Sequence, residues 1–306
     1  MSAEGGTRAV IAALAANTGI AISKFVAFAI TGSTSMLSEA IHSVADSFNQ
    51  VLLLVGGKHA ARKATDQHAF GYGRIRYVYG FVVAIILFFV GGAYSLYEGW
   101  HKWTHPHPVE QVRIAIGVLL VAIILESFSL RTAIREANAV RGTRSLRKFI
   151  RDARQPELPV ILLEDIGALV GLCLALFGVS VAAITGDGKW DGLGAISIGI
   201  LLMLIAVVLV REMSSMLVGE AALPEEISAV SNALLSAPVV ETLIHLRTLH
   251  VGPEELLVAA KIGIDPNVTA EQIVQGIDEA ERILRQTVPN ATYIFLEPDF
   301  LRSPQE

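Results

Sequence analysis

Long apolar stretches recur along the first two thirds of the chain and then stop. Six stretches approach or exceed the length of about 20 residues that an α-helix needs to cross a bilayer. They cover residues 9–30, 36–57, 77–97, 114–130, 159–184 and 192–210. The third contains no Asp, Glu, Lys or Arg from Tyr77 to Tyr97. The pattern therefore predicts a bundle of six transmembrane helices.

The pattern changes after Val218, where charged residues become frequent and no stretch is long enough to span a membrane. Apolar positions there indicate helices at residues 224–235 and 270–286, and strands at residues 242–251, 256–264 and 291–297. Helices that alternate with strands in this way are typical of a small α+β fold. We therefore expect two domains, a transmembrane transport domain (residues 1–218) and a C-terminal α+β domain (residues 219–306).

Composition excludes several classes of protein. Hydrophobic residues make up 53% of the chain and charged residues only 17%, whereas soluble proteins have about a quarter charged residues. This excludes an ordinary cytosolic enzyme. A net charge of -5 gives no reason to expect nucleic-acid binding. The one cysteine, Cys173, excludes a disulfide framework and a thiolate metal cluster. The first residues lack the short core and cleavage site of a secretory signal, so we keep the first apolar segment as a span.

The loops differ strongly in their content of Lys and Arg, which sets the orientation of membrane proteins. The loops after the second and fourth spans are rich in basic residues, and the other three loops contain only Lys102, Arg113 and Lys189. Basic loops remain on the cytoplasmic side, so we expect both termini to be cytoplasmic. The expected location is the cell membrane, with the protein as a multi-pass integral component of the lipid bilayer.

Ionisable residues lie inside four of the predicted spans, although each costs at least about 2.5–3.5 kcal/mol at the bilayer centre. In the second span, His42, Asp46 and Asn49 are spaced i, i+4 and i+7, which places them on one helix face. The fifth span carries the adjacent acids Glu164 and Asp165. Such residues need a functional or structural reason to be there.

The depths of these residues suggest the reason. Counted from opposite membrane surfaces at 1.5 Å per residue, Asp46 lies roughly 16 Å deep and Asp165 roughly 9 Å deep, in a core about 30 Å thick. The two carboxylates therefore lie near one level, together with His42. Unpaired carboxylates there would take up protons, whereas a divalent cation would stabilise their charges. The alternative is a structural hydrogen bond between His42 and Asp46.

The ligand types narrow the choice of metal. One imidazole and two or three carboxylates suit Zn2+, and also Mn2+, Fe2+ or Co2+. The sequence indicates no prosthetic group, so the metal is expected as transported cargo. Lys24 and Glu126 also lie in predicted spans, and we expect them to form ion pairs or gate contacts.

Two motifs resemble those of a known family. The segment TGSTSMLSEAIHSVADSFNQ (residues 31–50), followed by DQHAFGYGRIR (residues 66–76), is similar to the cation diffusion facilitator family of metal exporters. The LLED sequence in the fifth span is similar to the zinc-transporter branch. The resemblance covers nearly the whole chain. It implies a non-enzymatic, alternating-access homodimer that exports zinc or a related divalent cation in exchange for protons, with a ferredoxin-like cytoplasmic domain for dimerisation.

The resemblance also implies a ligand set. The family's central site takes two residues from each of the second and fifth helices, which match His42 and Asp46 in the former and Asp165 in the latter. The remaining position falls on Ile161, which cannot bind metal. Glu164, Asn49 or a water would then supply the fourth ligand, and a preference for manganese or iron becomes possible.

Further metal sites of the family are matched only in part. Asp66 and His68 correspond to a site in the loop after the second helix, where Tyr72 replaces another histidine. The alternative is a turn that packs on the membrane surface. In the C-terminal domain His245 matches a metal-binding position, but Lys261 and Leu296 replace others. We therefore expect this domain to dimerise with little or no bound metal.

Three other functions fit parts of the sequence. A membrane sensor would bind metal without moving it. A membrane metallo-hydrolase would need an open coordination position and usually several histidines, but the spans contain only His42 and no HExxH motif. A sodium carrier would favour an all-oxygen site, against which the imidazole argues.

Overall fold

The computed structural model describes residues 3–300, with side chains from Asn17 onward. The chain divides into two compact units. The first contains the chain up to Gly57 together with Tyr77–Ser214. The second contains Lys58–Arg76 and the chain from Ser215 onward. The loop after the second predicted span thus belongs to the same unit as the tail, which the sequence did not predict.

Eight α-helices described by the structure lie mainly or wholly in the first unit. They are α1 (Ala3–Thr31), α2 (Thr34–Ala60), α3 (Ile75–Ile86), α4 (Tyr94–Thr104), α5 (Val112–Val140), α6 (Leu146–Asp152), α7 (Glu157–Thr185) and α8 (Lys189–Val218). A π-helical segment, Leu87–Ala93, joins α3 to α4. The three pieces form one continuous helix, Ile75–Thr104.

Four helices in the described part of the chain are both long enough and apolar enough to cross a membrane: Ile75–Thr104, Val112–Val140, Glu157–Thr185 and Lys189–Val218. They match the third to sixth predicted spans, which confirms those four. The first two spans are not confirmed. Of α1, which contains the first span, only Asn17–Thr31 is described with side chains, and this part is too short for the comparison; α2, although 27 residues long, carries too many polar residues. The apolar helices enclose a hydrophobic core that includes Leu87, Leu119, Leu172 and Leu202.

Helices α4 and α8 approach closely because glycines face each other at their contact. A β-carbon on Gly99 would lie 2.6 Å from the backbone nitrogen of Ile196, and one on Gly199 would lie 2.7 Å from that of Leu96. Small residues allow such close backbone packing in membrane helices. Gly117 on α5, by contrast, faces open space.

The second unit contains a small α/β domain with its own hydrophobic core. Its elements are α9 (Pro224–Leu235), β1 (Thr242–Gly252), β2 (Glu255–Gly263), α10 (Ala270–Thr287) and β3 (Ala291–Asp299). All five elements of the tail lie where the sequence predicts them. The strands form one sheet in the order β1-β2-β3, with β1 and β2 antiparallel and β2 and β3 parallel. Alternate residues of β2, among them Val258 and Ile262, are buried in the core.

The loop Lys58–Arg76 packs against this sheet. The ring of Phe70 lies edge-on to that of Tyr293, with centroids 5.2 Å apart. Gly73 approaches the β1–β2 turn so closely that a β-carbon on it would lie 2.7 Å from the Cα of Gly252. Only a residue without a side chain fits at such a contact. The loop is therefore an integral part of the second unit.

Candidate metal site

Helix α2 carries a row of polar residues that face the interior of the first unit. Glu39, His42, Ser43 and Asn49 are buried on this helix, and Asp46 has 13% side-chain exposure. The helical period of 3.6 residues brings these positions to one broad face. The predicted alignment of His42, Asp46 and Asn49 follows from this geometry.

Several atoms on this face have no hydrogen-bond partner in the described part of the chain. They are both ring nitrogens of His42, Oδ1 of Asp46, Oδ1 of Asn49, Oε1 of Gln50 and Oε1 of Glu39. The Nδ1 atom of His42 lies 3.5 Å from Oδ1 of Asp46, which is longer than an ordinary hydrogen bond. Buried polar groups normally have partners. This row of free nitrogen and oxygen atoms is therefore suited to bind a cation.

The two acids of α7 point to different neighbours. Oε1 of Glu164 accepts a 2.7 Å hydrogen bond from the side-chain amide of Asn49 on α2. Oδ2 of Asp165 accepts a 3.0 Å hydrogen bond from the hydroxyl of Ser129 on α5. Adjacent residues of a helix point about 100° apart, so the pair reaches both neighbouring helices. Of the two, Glu164 makes the direct link to α2.

A small cavity brings the two helices' acids together. Asp46, Glu164 and Asp165 all line it. The rest of its lining is Asn17, Ile20, Ser43, Gln50, Glu126 and Ile161. In the described part of the chain, however, no three His, Cys, Asp or Glu residues are grouped closely enough to hold one metal ion. Side-chain rotation is therefore needed before these groups can share a cation.

Four polar residues of the cavity, Asn17, Ser43, Gln50 and Glu126, were not among the candidate ligands. Ser43 and Gln50 lie one turn before and one turn after Asp46, so the helical period that selects His42 and Asn49 also selects them. Glu126, expected in an ion pair or gate contact, lines the cavity with the other acids. Ile161 lies at the cavity wall, one turn before Asp165, and brings no ligand atom there.

The loop residues Asp66 and His68 are exposed. His68 stacks on Tyr72 with ring centroids 4.5 Å apart, and its backbone forms an isolated bridge with Thr65. The segment is thus a compact turn within the second unit.

In the C-terminal domain, the ammonium of Lys261 lies 2.8 Å from Oδ2 of Asp299 and 3.2 Å from Oε1 of Glu297. These hydrogen bonds, first to Asp299 and then to Glu297, raise the pKa of Lys261. His245 is exposed and lies opposite Lys261 on the neighbouring strand. The ammonium of Lys261 therefore occupies this part of the sheet face and pairs with Asp299 and Glu297.

The chain is similar in sequence to several known proteins. The chain is 29% identical over 291 residues to a mitochondrial proton-coupled zinc antiporter of Xenopus laevis, covering 94% of this chain and 52% of the relative. It is 30% identical over 257 residues to the human protein of that name, covering 83% and 45%. It is 26% identical over 287 residues to metal tolerance protein C4 of Arabidopsis thaliana, covering 92% and 63%. The chain therefore spans about half to two thirds of the length of these relatives.

Among solved structures, a C-terminal domain of MamM in a nickel form matches 26% of this chain and 100% of its own length. The identity is 20% and the TM-score 0.25.

The family assignment comes from the part of the sequence that contains the apolar helices. The family profile described as the cation efflux transmembrane domain matches residues 10–218, which is more than half of the chain. The matched region contains α2 and α7 with their facing acids, as well as all four apolar helices. The protein is a multi-pass integral membrane protein that belongs to the cation diffusion facilitator family of divalent metal transporters.

Proposed function

We propose that this protein exports a divalent cation, most readily Zn2+, in exchange for protons. The single observation that carries the proposal is the cavity at which Asp46 of α2 meets Glu164 and Asp165 of α7. His42 lies directly beside Asp46 and has two ring nitrogens without hydrogen-bond partners. The description of two relatives as proton-coupled zinc antiporters supports zinc and protons in particular. Mn2+, Fe2+ and Co2+ are the other ions that such a donor set suits.

The proposed ligands are His42, Asp46, Asp165 and Glu164, with Asn49 as the alternative to Glu164. Asn49 and Ser129 each donate a hydrogen bond to one of the α7 acids. Rotation of both acids away from their donors and toward Asp46 would then form the ion-binding arrangement.

Proton exchange follows from competition for the same lone pairs. Carboxylates and imidazole bind a metal only when deprotonated, so metal binding releases protons and proton binding expels the metal. Protons that enter from the outer side would release the cation there, and the protonated site would return inward. This cycle requires alternating access, which in other carriers is rocking of helix groups around a central site.

The rest of the proposal concerns architecture and the secondary sites. We propose six spans, with α1 and α2 as the first two, and a homodimer in the cell membrane with a cytoplasmic, ferredoxin-like dimerisation domain. No enzymatic activity and no prosthetic group are proposed. Asp66 and His68 remain candidates for a second metal site in the loop, and metal analysis of the double variant D66N/H68A against wild type would test it. Native mass spectrometry in detergent would test the dimer.

Transport assays test the main proposal. The purified full chain is reconstituted into vesicles, and uptake of Zn2+, Mn2+, Fe2+, Co2+ and Cd2+ is measured in parallel with an acidic interior. We expect saturable zinc uptake that requires the pH gradient, accompanied by alkalinisation of the interior. A protein that binds zinc but moves none of the five ions would be a sensor, and the proposal would be wrong.

A further inference from the structure

A buried ion pair next to the cavity is not used by the proposed transport site. Lys24 of α1 and Glu39 of α2 are both fully buried, and Nζ of Lys24 lies 3.1 Å from Oε2 of Glu39. The same ammonium donates a 2.7 Å hydrogen bond to the hydroxyl of Ser43. Gly32, with a φ of 61°, ends α1, and α2 begins at Thr34. The tight helical hairpin therefore brings the two charges together.

The ammonium of Lys24 reaches the wall of the cavity through its hydrogen bond to Ser43. Ser43 is one helical turn beyond Glu39 and one turn before Asp46, on the same side of α2. Ser43 also lines the cavity together with Asp46, Glu126 and Glu164. The hydroxyl-bearing residue Ser43 thus links the charge of Lys24 to the cavity that contains the acids.

Glu39 is held in place on its other side by α7. A β-carbon on Gly171 would lie 2.5 Å from Oε1 of Glu39, so the carboxylate packs directly against the helix backbone. That oxygen has no hydrogen-bond partner in the described part of the chain. Lys24 therefore supplies the positive charge that balances Glu39, and the carboxylate of Glu39 has little freedom to move.

Stability alone is a weak explanation for this pair. Replacing a buried ion pair with apolar residues of similar volume is often neutral or stabilising, because both charges must be removed from water. Ionisable side chains within membrane helices are typically associated with substrate or ion pathways. The position of Lys24 beside the acidic cavity offers a function of that kind.

Resting on the proposed function, we propose that Lys24 sets the affinity of the cavity for its divalent cation. Its fixed charge repels an ion bound by Asp46 and the α7 acids, which weakens binding and speeds release. Glu39 moderates this effect because it neutralises part of the ammonium charge. Lys24 acts through space and contributes no ligand atom, so it is an affinity-setting residue.

The proposal predicts opposite effects for the two members of the pair. Lys24→Met removes the positive charge and keeps the length of the side chain, and we expect the Kd for Zn2+ to fall roughly tenfold. This fall corresponds to about 1.4 kcal/mol. The Vmax for uptake should fall as well, because release slows. Glu39→Gln leaves the ammonium unbalanced and should raise the Kd. Lys24→Arg keeps the charge and should restore a Kd within about threefold of wild type, in keeping with the tenfold change per 1.4 kcal/mol.

Isothermal titration of the purified full chain with zinc measures each Kd, and vesicle uptake measures KM and Vmax. A purely structural pair would lower activity in both variants without opposite shifts in Kd. If Lys24→Met does not fold, the double variant K24M/E39Q removes both charges and should still bind zinc more tightly than wild type, although by less. Shifts in the same direction, or no shift in folded variants, would overturn the proposal. A wild-type protein that carries none of the five ions would instead overturn the proposed function.

Discussion

The carboxylate of Asp191 in helix α8 accepts a 2.8 Å hydrogen bond from the backbone N–H of Thr34, the first residue of α2. It also accepts hydrogen bonds from the backbone of Ser35 and the hydroxyl of Ser33. Free N–H groups at the start of a helix are normally capped by a nearby side chain of the same segment. Here the cap is supplied from a helix distant in sequence, so α8 fixes the start of the helix that carries His42 and Asp46.

Substitution of Asp191 should be strongly destabilising. Asp191→Ala removes the cap, worth about 0.5–2 kcal/mol. It also leaves the buried ammonium of Lys102, 3.7 Å from Oδ2, without its carboxylate, and such an unpaired buried charge costs about 3–5 kcal/mol. We expect a clear fall in the thermal unfolding temperature in detergent. Asp187→Ala is the matched control, because the one side-chain hydrogen bond of Asp187 within the described residues is the local one from the N–H of Lys189, and Asp187 lies just before α8. Equal unfolding temperatures for the two variants would contradict this role.

Close packing of α4 against α8 predicts a sharp contrast between two glycines. Gly199→Ala would place a β-carbon 2.7 Å from the nitrogen of Leu96 and 2.8 Å from the carbonyl oxygen of Gly92, and backbone atoms cannot rotate away. We expect a loss of about 1–3 kcal/mol, as for other overpacked sites. Gly117→Ala on α5 meets open space and should be neutral or stabilising by up to about 1 kcal/mol. Unfolding in denaturant measures both, and similar losses would argue against the helix contact.

Loss of a cavity carboxylate should abolish transport while the fold persists. Asp46→Asn keeps the size of the side chain but removes a negative charge and one oxygen of a proposed ligand, so we expect zinc flux to fall at least about 100-fold, as for loss of roughly 3 kcal/mol of binding. Cys173→Ser, on an exposed face of α7, should leave flux unchanged. Vesicle uptake and gel-filtration profiles of the two variants provide the measurement. Normal flux in Asp46→Asn would show that the ion binds elsewhere.

The ion pairs of Lys261 predict a stability difference that depends on pH. Its pKa is raised in the folded chain by Asp299 and Glu297, so the protonated side chain stabilises the folded state. This contribution is complete below the unfolded pKa of about 10.4 and is lost as the pH rises through the higher folded value. Wild type should therefore unfold at a higher temperature than Lys261→Met at pH 8, followed by circular dichroism. The difference should shrink as the pH rises beyond 10, and a constant difference would be inconsistent with the ion pairs.

The sequence predicts those features that depend on local periodicity. The polar face of α2 follows from the spacing of His42, Asp46 and Asn49, and the five elements of the C-terminal domain follow from their apolar patterns and turns. The meeting of Asp46 with Asp165 in one cavity follows from counting depth along two helices of opposite direction. Each of these depends only on residue spacing and helix geometry.

Residue spacing and helix geometry cannot predict contacts between segments that are distant in sequence. The spacing of charges along single helices does not show that Lys24 pairs with Glu39, that Asn49 holds Glu164, or that Asp191 caps α2. The polarity of α2 also lowers its apparent suitability as a span, although Glu39 is paired with Lys24 of α1 and Asn49 with Glu164 of α7. The packing of the helices against one another determines these contacts, and the periodicity of a single helix does not predict that packing.

The assignment of Lys58–Arg76 to the second unit changes how a shortened protein should behave. The backbone crosses between the two units three times, after Gly57, after Arg76 and after Ser214, so the tail is not an appendage joined by one linker. Truncation at residue 218 would remove Tyr293 and Gly252, which contact Phe70 and Gly73 of the loop. The remaining membrane bundle would have an unsupported loop between its second and third helices. It would therefore differ from the full-length protein by more than the loss of a separate domain.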